Sequence, residues 1–152
     1  LKNKHDWARA LARQGLRVFP LQPNGKRPAI EGWQREATSD AEKINSWWRG
    51  EFADSNIGIA TGSGLLVIDA DCKGGRPGLP SLDMLDMEGL PESFRVRTPS
   101  GGLHVYLTYD PANEIRGGAD CLEGYPGIDI RAEGGLVVGP GSTIDGAAYD
   151  IL

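Results

Sequence analysis

Residues 64–75 read GLLVIDADCKGG, an apolar run that ends in two aspartates, Asp69 and Asp71, one residue apart. On a strand successive side chains alternate, so Leu65, Val67, Asp69 and Asp71 share one face, and Leu66, Ile68 and Ala70 the other. Two carboxylates then project the same way, with Cα atoms about 7 Å apart. Like charges at that range repel, the more so where water is partly excluded. A cation held between them removes that penalty. Hard divalent ions such as Mg²⁺ take carboxylate oxygens and keep positions open for water and phosphate. The pair alone is equally compatible with two ordinary aspartates at a solvated strand end.

Two further segments strengthen the cation reading. In GIDIRAEGG, Ile128 and Ile130 face one way and Asp129 and Arg131 the other. Asp129 is a third candidate ligand, or else an ion-pair partner for Arg131 or Arg97. Three carboxylates against two divalent ions suit phosphoryl chemistry, in which paired ions hold the attacking and leaving oxygens. In RTPSGGLHVYLTY, a proline and two glycines predict a tight loop with exposed backbone N–H groups, the usual cradle for phosphate oxygens. Thr98, Ser100, Gly101 and His104 are its candidate anion donors. Arg95 and Arg97 share a face of the strand before it. His104 taken by itself reads as a structural histidine, and His5 as a solvent-facing one. Lys26 and Arg27 lie in a turn, PNGKRP, that is either a solvated loop or a contact to phosphate. GIATGSG lacks the residues of a P-loop and reads as a turn that feeds the Asp69 strand.

The elements that must position these residues follow from pattern and punctuation. KHDWARALARQG is an amphipathic helix closed at Gly15. TSDAEKINSWWRG is a second helix, with Ser39 and Glu42 in capping-box spacing and Gly50 at its end. SLDMLDMEG is a short third helix that Ser81 would cap. The strands are LRVFPL, NIGIATG, LLVIDAD, FRVRT, LHVYLTY, GIDIRAE, GLVVGP and AAYDI. Trp33 is expected in the core rather than stacked on a base. Helices come early and strands late, which predicts an α+β fold with a largely antiparallel or mixed sheet.

Composition agrees with a folded chain. It has 152 residues, 39% hydrophobic and 24% charged, with 22 glycines and 10 prolines that mark many turns. That length supports one domain with a substantial core. No apolar run approaches a membrane span, and neither cysteine, Cys72 or Cys121, belongs to a zinc or redox pair, so a cytoplasmic protein with buried or idle thiols is expected, a disulfide being the lesser alternative. The chain opens on Leu1 rather than Met and is expected to be a piece of a longer protein. Net charge is −5, unevenly spread: residues 1–50 hold ten Lys/Arg against five Asp/Glu, and the remainder six against sixteen. The pattern is either ordinary surface variation or a basic flank beside an acidic, cation-binding site.

The order of the motifs carries more than any one of them. A GKRP loop, a GW, a WW helix, NIGIATG, the Asp69-Ala-Asp71 strand, TPSGGLHVY, GIDIR and GGLVVGPGS follow one another. This order resembles the N-terminal domain of bifunctional DNA primase/polymerases (Prim-Pol), of the archaeo-eukaryotic primase superfamily, over residues 6–149. The resemblance implies a primase-polymerase fold: a small N-terminal α/β part plus a part resembling an RNA-recognition module. It implies a single catalytic domain over residues 1–152, drawn from a replication protein of a plasmid, phage or mobile element. It implies two Mg²⁺ or Mn²⁺ ions on Asp69, Asp71 and Asp129, with His104 and Ser100 on the phosphates of the incoming nucleotide. Thr98, Gly101, Arg97 and Arg131 are further candidates there, and Lys26 fits a recurrent family lysine. The partners implied are a DNA template and primer, nucleoside triphosphates and a helicase in the longer chain; the isolated domain is expected to be a monomer. The chain lacks the ligands of the zinc-binding stem that some relatives carry. A helical region commonly needed to start primers is not in the sequence, so primer extension is the firmer expectation. Three other readings use the same acids: a metal-dependent nuclease, a glycosyltransferase with a metal-binding D-x-D, and a non-catalytic nucleic-acid-binding relative.

Overall fold

The computed structural model describes residues 2–152. Along the chain the elements are α1 (Lys4–Arg13), β1 (Val18–Pro20), α2 (Trp33–Glu36), α3 (Ala41–Trp48), β2 (Ile57–Ala60), β3 (Leu65–Ala70), α4 (Gly78–Met87), β4 (Arg95–Arg97), β5 (Leu103–Thr108), β6 (Ile128–Arg131), β7 (Leu136–Val138), β8 (Thr143–Ile144), β9 (Ala147–Ala148) and β10 (Asp150–Ile151). The fold is α+β, and the named strands pair antiparallel. The chain forms two compact units: the stretch to Ala60 with Leu136–Tyr149, and Thr61–Gly135 with Asp150–Leu152.

The first unit holds a three-stranded sheet in the order β1-β2-β7 and the small β8-β9 hairpin. Asn3 caps α1 through a reciprocal bond with Asp6, and Ala8, Leu11 and Ala12 form its buried stripe. Asp40, not Ser39, caps α3, accepting from the Lys43 N–H, so the expected Ser39–Glu42 box gives way to the residue after it. The helix still buries Ile44 and Trp48. The four-residue α2 had no sequence signal, being too short for a periodic face. Its Trp33 stacks on the buried Phe19 ring with centroids 4.8 Å apart. Lys26 and Arg27 are exposed in a turn closed by Gln22 N–H to Arg27 O at 2.8 Å.

The second unit is a five-stranded sheet in the order β10-β4-β5-β3-β6. Its pleat divides the side chains between two faces. Ile68, Ala70, Val105 and Ile128 face α4 and pack with Leu82. Arg95 joins α4 to β4 through Asp86, Nη1 to Oδ2 at 3.0 Å. The helix begins at Gly78, earlier than expected, because Pro80 is tolerated in a first turn. Ser81 is therefore inside it, and its hydroxyl donates to Pro126 O at 2.6 Å instead of capping. The expected single strand AAYDI is two: β9 pairs with β8 and β10 with β4.

Candidate active site

The other face of that sheet is charged. Asp69 on β3 stands directly opposite His104 on β5 and opposite Asp129 on β6. Residues paired across antiparallel strands project to the same side, so one register brings three residues, distant in sequence, into a row. The His104 Nε2 lies 3.5 Å from Asp69 Oδ1. Asp129 is the most enclosed of the three acids, its side chain only 7% exposed. Like charges facing each other across a sheet are destabilising, and Arg131, two residues along β6, answers that. Its Nη2 sits 3.4 Å from both Asp69 Oδ2 and Asp129 Oδ2.

Asp71 lies just past the end of β3, and its position is fixed by backbone contacts. Its N–H donates to Gly127 O and its carbonyl accepts from Gly78 N–H, both at 3.0 Å. A Cβ on Gly78 would stand 2.4 Å from Asp71 N, and one on Gly127 2.4 Å from Gly78 N. Only glycine lets the three backbones lie this close. The Asp71 carboxylate accepts from Lys73 N–H at 2.9 Å and from Arg76 Nη1 at 2.8 Å. Arg76 also donates to Asp129, Nη2 to Oδ1 at 3.0 Å, and to Asp120 Oδ2 at 2.9 Å. The Asp120 N–H donates to Asp129 Oδ1 at 2.9 Å.

Arg76 and Asp120 complete the cluster, and sequence reasoning missed both. Each sits in a loop with no periodicity, and the only signal was the presence of glycines around them. The cluster thus holds four carboxylates, Asp69, Asp71, Asp120 and Asp129, against the guanidiniums of Arg76 and Arg131. The Lys73 N–H first, then Arg76, hold the Asp71 carboxyl below its usual range against the effect of burial. Burial pushes Asp129 up, but the hydrogen bonds from Arg76 and the Asp120 N–H outweigh it and the net direction is down. Asp129 first, then Asp71, hold the Arg76 guanidinium still more firmly in its charged form.

The β4–β5 turn is adjacent in the fold, its Ser100 O accepting from Cys72 Sγ at 3.1 Å. Thr98 Oγ1 and Ser100 Oγ stand 3.3 Å apart. The backbone differs from the expected open cradle. Gly101 N–H donates to Thr98 O and Thr98 N–H to Gly102 O, both at 2.9 Å, so the hairpin itself uses those two donors. The hydroxyls of Thr98 and Ser100 are side-chain anion donors of this turn. Arg97 pairs with Leu103, one residue out of step with His104, and so belongs to the α4 face with Arg95. It is not gathered with the carboxylates. Lys26 belongs to the first unit. Both cysteines are free thiols.

A family model described as bifunctional DNA primase/polymerase, N-terminal (Prim-Pol), matches residues 8–152. The chain belongs to this family. No curated protein matches it. Membership in Prim-Pol implies DNA primase/polymerase activity in general, with DNA and nucleotides as substrates, and a dependence on divalent metal. Among the described residues no helix is long and apolar enough to cross a membrane.

The donor set of this Prim-Pol chain fits Mg²⁺ or Mn²⁺ in kind, since all its acids offer the hard oxygens those ions take. Four negative charges against two positive ones also leave the cluster short of cations. As the side chains stand, no group of three or more His, Cys, Asp or Glu among the described residues is arranged to hold a metal. Guanidinium nitrogens lie on Asp71 Oδ2 and on both oxygens of Asp129, and the Lys73 N–H lies on Asp71 Oδ1.

Proposed function

We propose that this Prim-Pol chain is a single catalytic domain for template-directed nucleotidyl transfer, extending or synthesising primers in replication of a plasmid, phage or mobile element. The observation that carries the reading is the register that sets Asp69 opposite both His104 and Asp129 on one face of the sheet. Asp69, Asp71 and Asp129 would hold two Mg²⁺ or Mn²⁺ ions, which when bound supply Lewis-acid charge to the primer 3′-hydroxyl and the triphosphate. The surrounding side chains do the rest. The Thr98 and Ser100 hydroxyls donate to phosphate oxygens. The planar fork of Arg131 suits a phosphate and offsets charge that builds on it as the bond to pyrophosphate breaks. His104, whose Nε2 faces Asp69 Oδ1, is the imidazole that would contact the phosphates of the incoming nucleotide. The exposed Lys26 and Arg27 and the other basic groups of the first fifty residues serve the template backbone, a sequence-independent contact.

Primer extension on a labelled template tests this. Asp69→Ala is expected to lower nucleotide incorporation by on the order of 10³-fold while keeping the wild-type circular dichroism spectrum. Incorporation equal to wild type would refute the assignment. Shortening of the labelled strand without added nucleotides, abolished by the same substitution, would instead make the chain a nuclease.

A further inference from the structure

The acceptor capacity of Asp129 is already full. Its Oδ1 accepts from Arg76 Nη2 at 3.0 Å and the Asp120 N–H at 2.9 Å, and its Oδ2 lies 3.4 Å from Arg76 Nη1 and from Arg131 Nη2. A carboxylate offers about four lone-pair sites, so a cation can reach this one only by displacing a donor. Asp71 accepts two donors, the Lys73 N–H on Oδ1 and Arg76 Nη1 on Oδ2, which leaves about half of its lone-pair sites open. Among the described residues Arg76 is the one side chain that bonds to both acids. It also has a second anchor, Asp120, whose carboxylate is 56% exposed against 7% for Asp129.

We propose that Arg76 is a tethered counter-cation: its guanidinium fills the cation place of the metal-free site between Asp71 and Asp129, and a divalent ion must displace it from Asp129. This rests on the reading that those aspartates bind divalent ions. Two consequences follow from charge alone. Arg76 stabilises the metal-free fold by relieving repulsion among the clustered carboxylates. It also weakens apparent metal affinity in proportion to the fraction of molecules in which the site is closed. Asp120 keeps the displaced guanidinium paired, in a position where solvation makes a lone charge cheap.

The test is a titration of the whole chain with MnCl₂ alone, read by the electron paramagnetic resonance signal of free Mn²⁺, together with thermal melting with and without the ion. Arg76→Gln is expected to bind Mn²⁺ on the order of tenfold more tightly than wild type. It should also melt lower without metal and gain more on adding it. Arg76→Lys keeps the charge but loses the fork, and should bind with intermediate affinity. An Arg76→Gln affinity equal to or weaker than wild type overturns the proposal. If Arg76→Gln does not fold without metal, Arg76→Lys decides by the same criterion: tighter binding supports the displacement, and equal or weaker binding overturns it. Asp129→Asn separates this from the parent reading. Loss of Mn²⁺ binding in that variant upholds the metal site whatever Arg76 does, and unchanged binding sinks both.

Discussion

The two faces of the five-stranded sheet are built from the same strands and do opposite things. Towards α4, Ile68, Ala70, Val105 and Ile128 are nearly sealed from solvent and pack with Leu82. On the other side, their chain neighbours Asp69, His104 and Asp129 form a row of polar groups. One face lowers the free energy of the fold by removing apolar surface from water. The other raises it, by drawing like charges together, and is tolerated because Arg76 and Arg131 sit among them. The period-two alternation of a strand is what allows a stabilising layer and a costly one to be encoded in consecutive residues.

That contrast can be broken most sharply at two adjacent positions. Ile68→Ala removes a core side chain that is 4% exposed and is expected to cost about 2–5 kcal/mol in urea unfolding. Asp69→Asn, one residue on, should change stability by less than about 1 kcal/mol, since its cationic contacts are long and partly solvated, yet remove nucleotide incorporation. The reverse pattern, with Asp69→Asn unfolding the chain and Ile68→Ala leaving it stable, would mean that the division of labour is misassigned.

A smaller effect is expected in acid. The carboxyls of Asp71 and Asp129 are held below their ordinary range in the folded chain. Near and below the unfolded carboxylate value of about 3.9, the unfolded chain therefore binds more protons than the folded one. Stability from these groups is complete above that value and is lost as pH falls through the lower folded values. Urea unfolding between pH 7 and pH 3 should show this decline in wild type. Arg76→Gln should flatten it, because burial then pushes Asp129 up without the main opposing hydrogen bonds. An equally steep decline in that variant would show that Arg76 does not set the acid limb of the charged face.

Much of this was legible in the sequence, for physical reasons that differ by residue. The alternation of LLVIDAD and GIDIRAE fixed which side chains travel together on a strand. It carried no information on which face of the sheet each strand presents, so Arg97 could be drawn towards the phosphates although register sets it on the α4 face. The TPSGG turn was recognisable from composition, but the use of its own N–H groups in closing the hairpin was not. Ser39 and Ser81 both had the chemistry of a helix cap and lost that role to context: Asp40 follows the first, and a proline-tolerant first turn precedes the second. Arg76 and Asp120 were invisible because they meet only through backbone close approaches around Gly78 and Gly127, which no local pattern encodes.

The most direct measurement is anomalous diffraction from crystals of the chain soaked with MnCl₂ and a non-hydrolysable nucleoside triphosphate. Manganese peaks at coordination distance from Asp69, Asp71 and Asp129, with the triphosphate beside His104 and the Arg76 guanidinium moved off Asp129, are the predicted result. Manganese bound elsewhere, with Arg76 still bridging Asp71 and Asp129, would contradict the account.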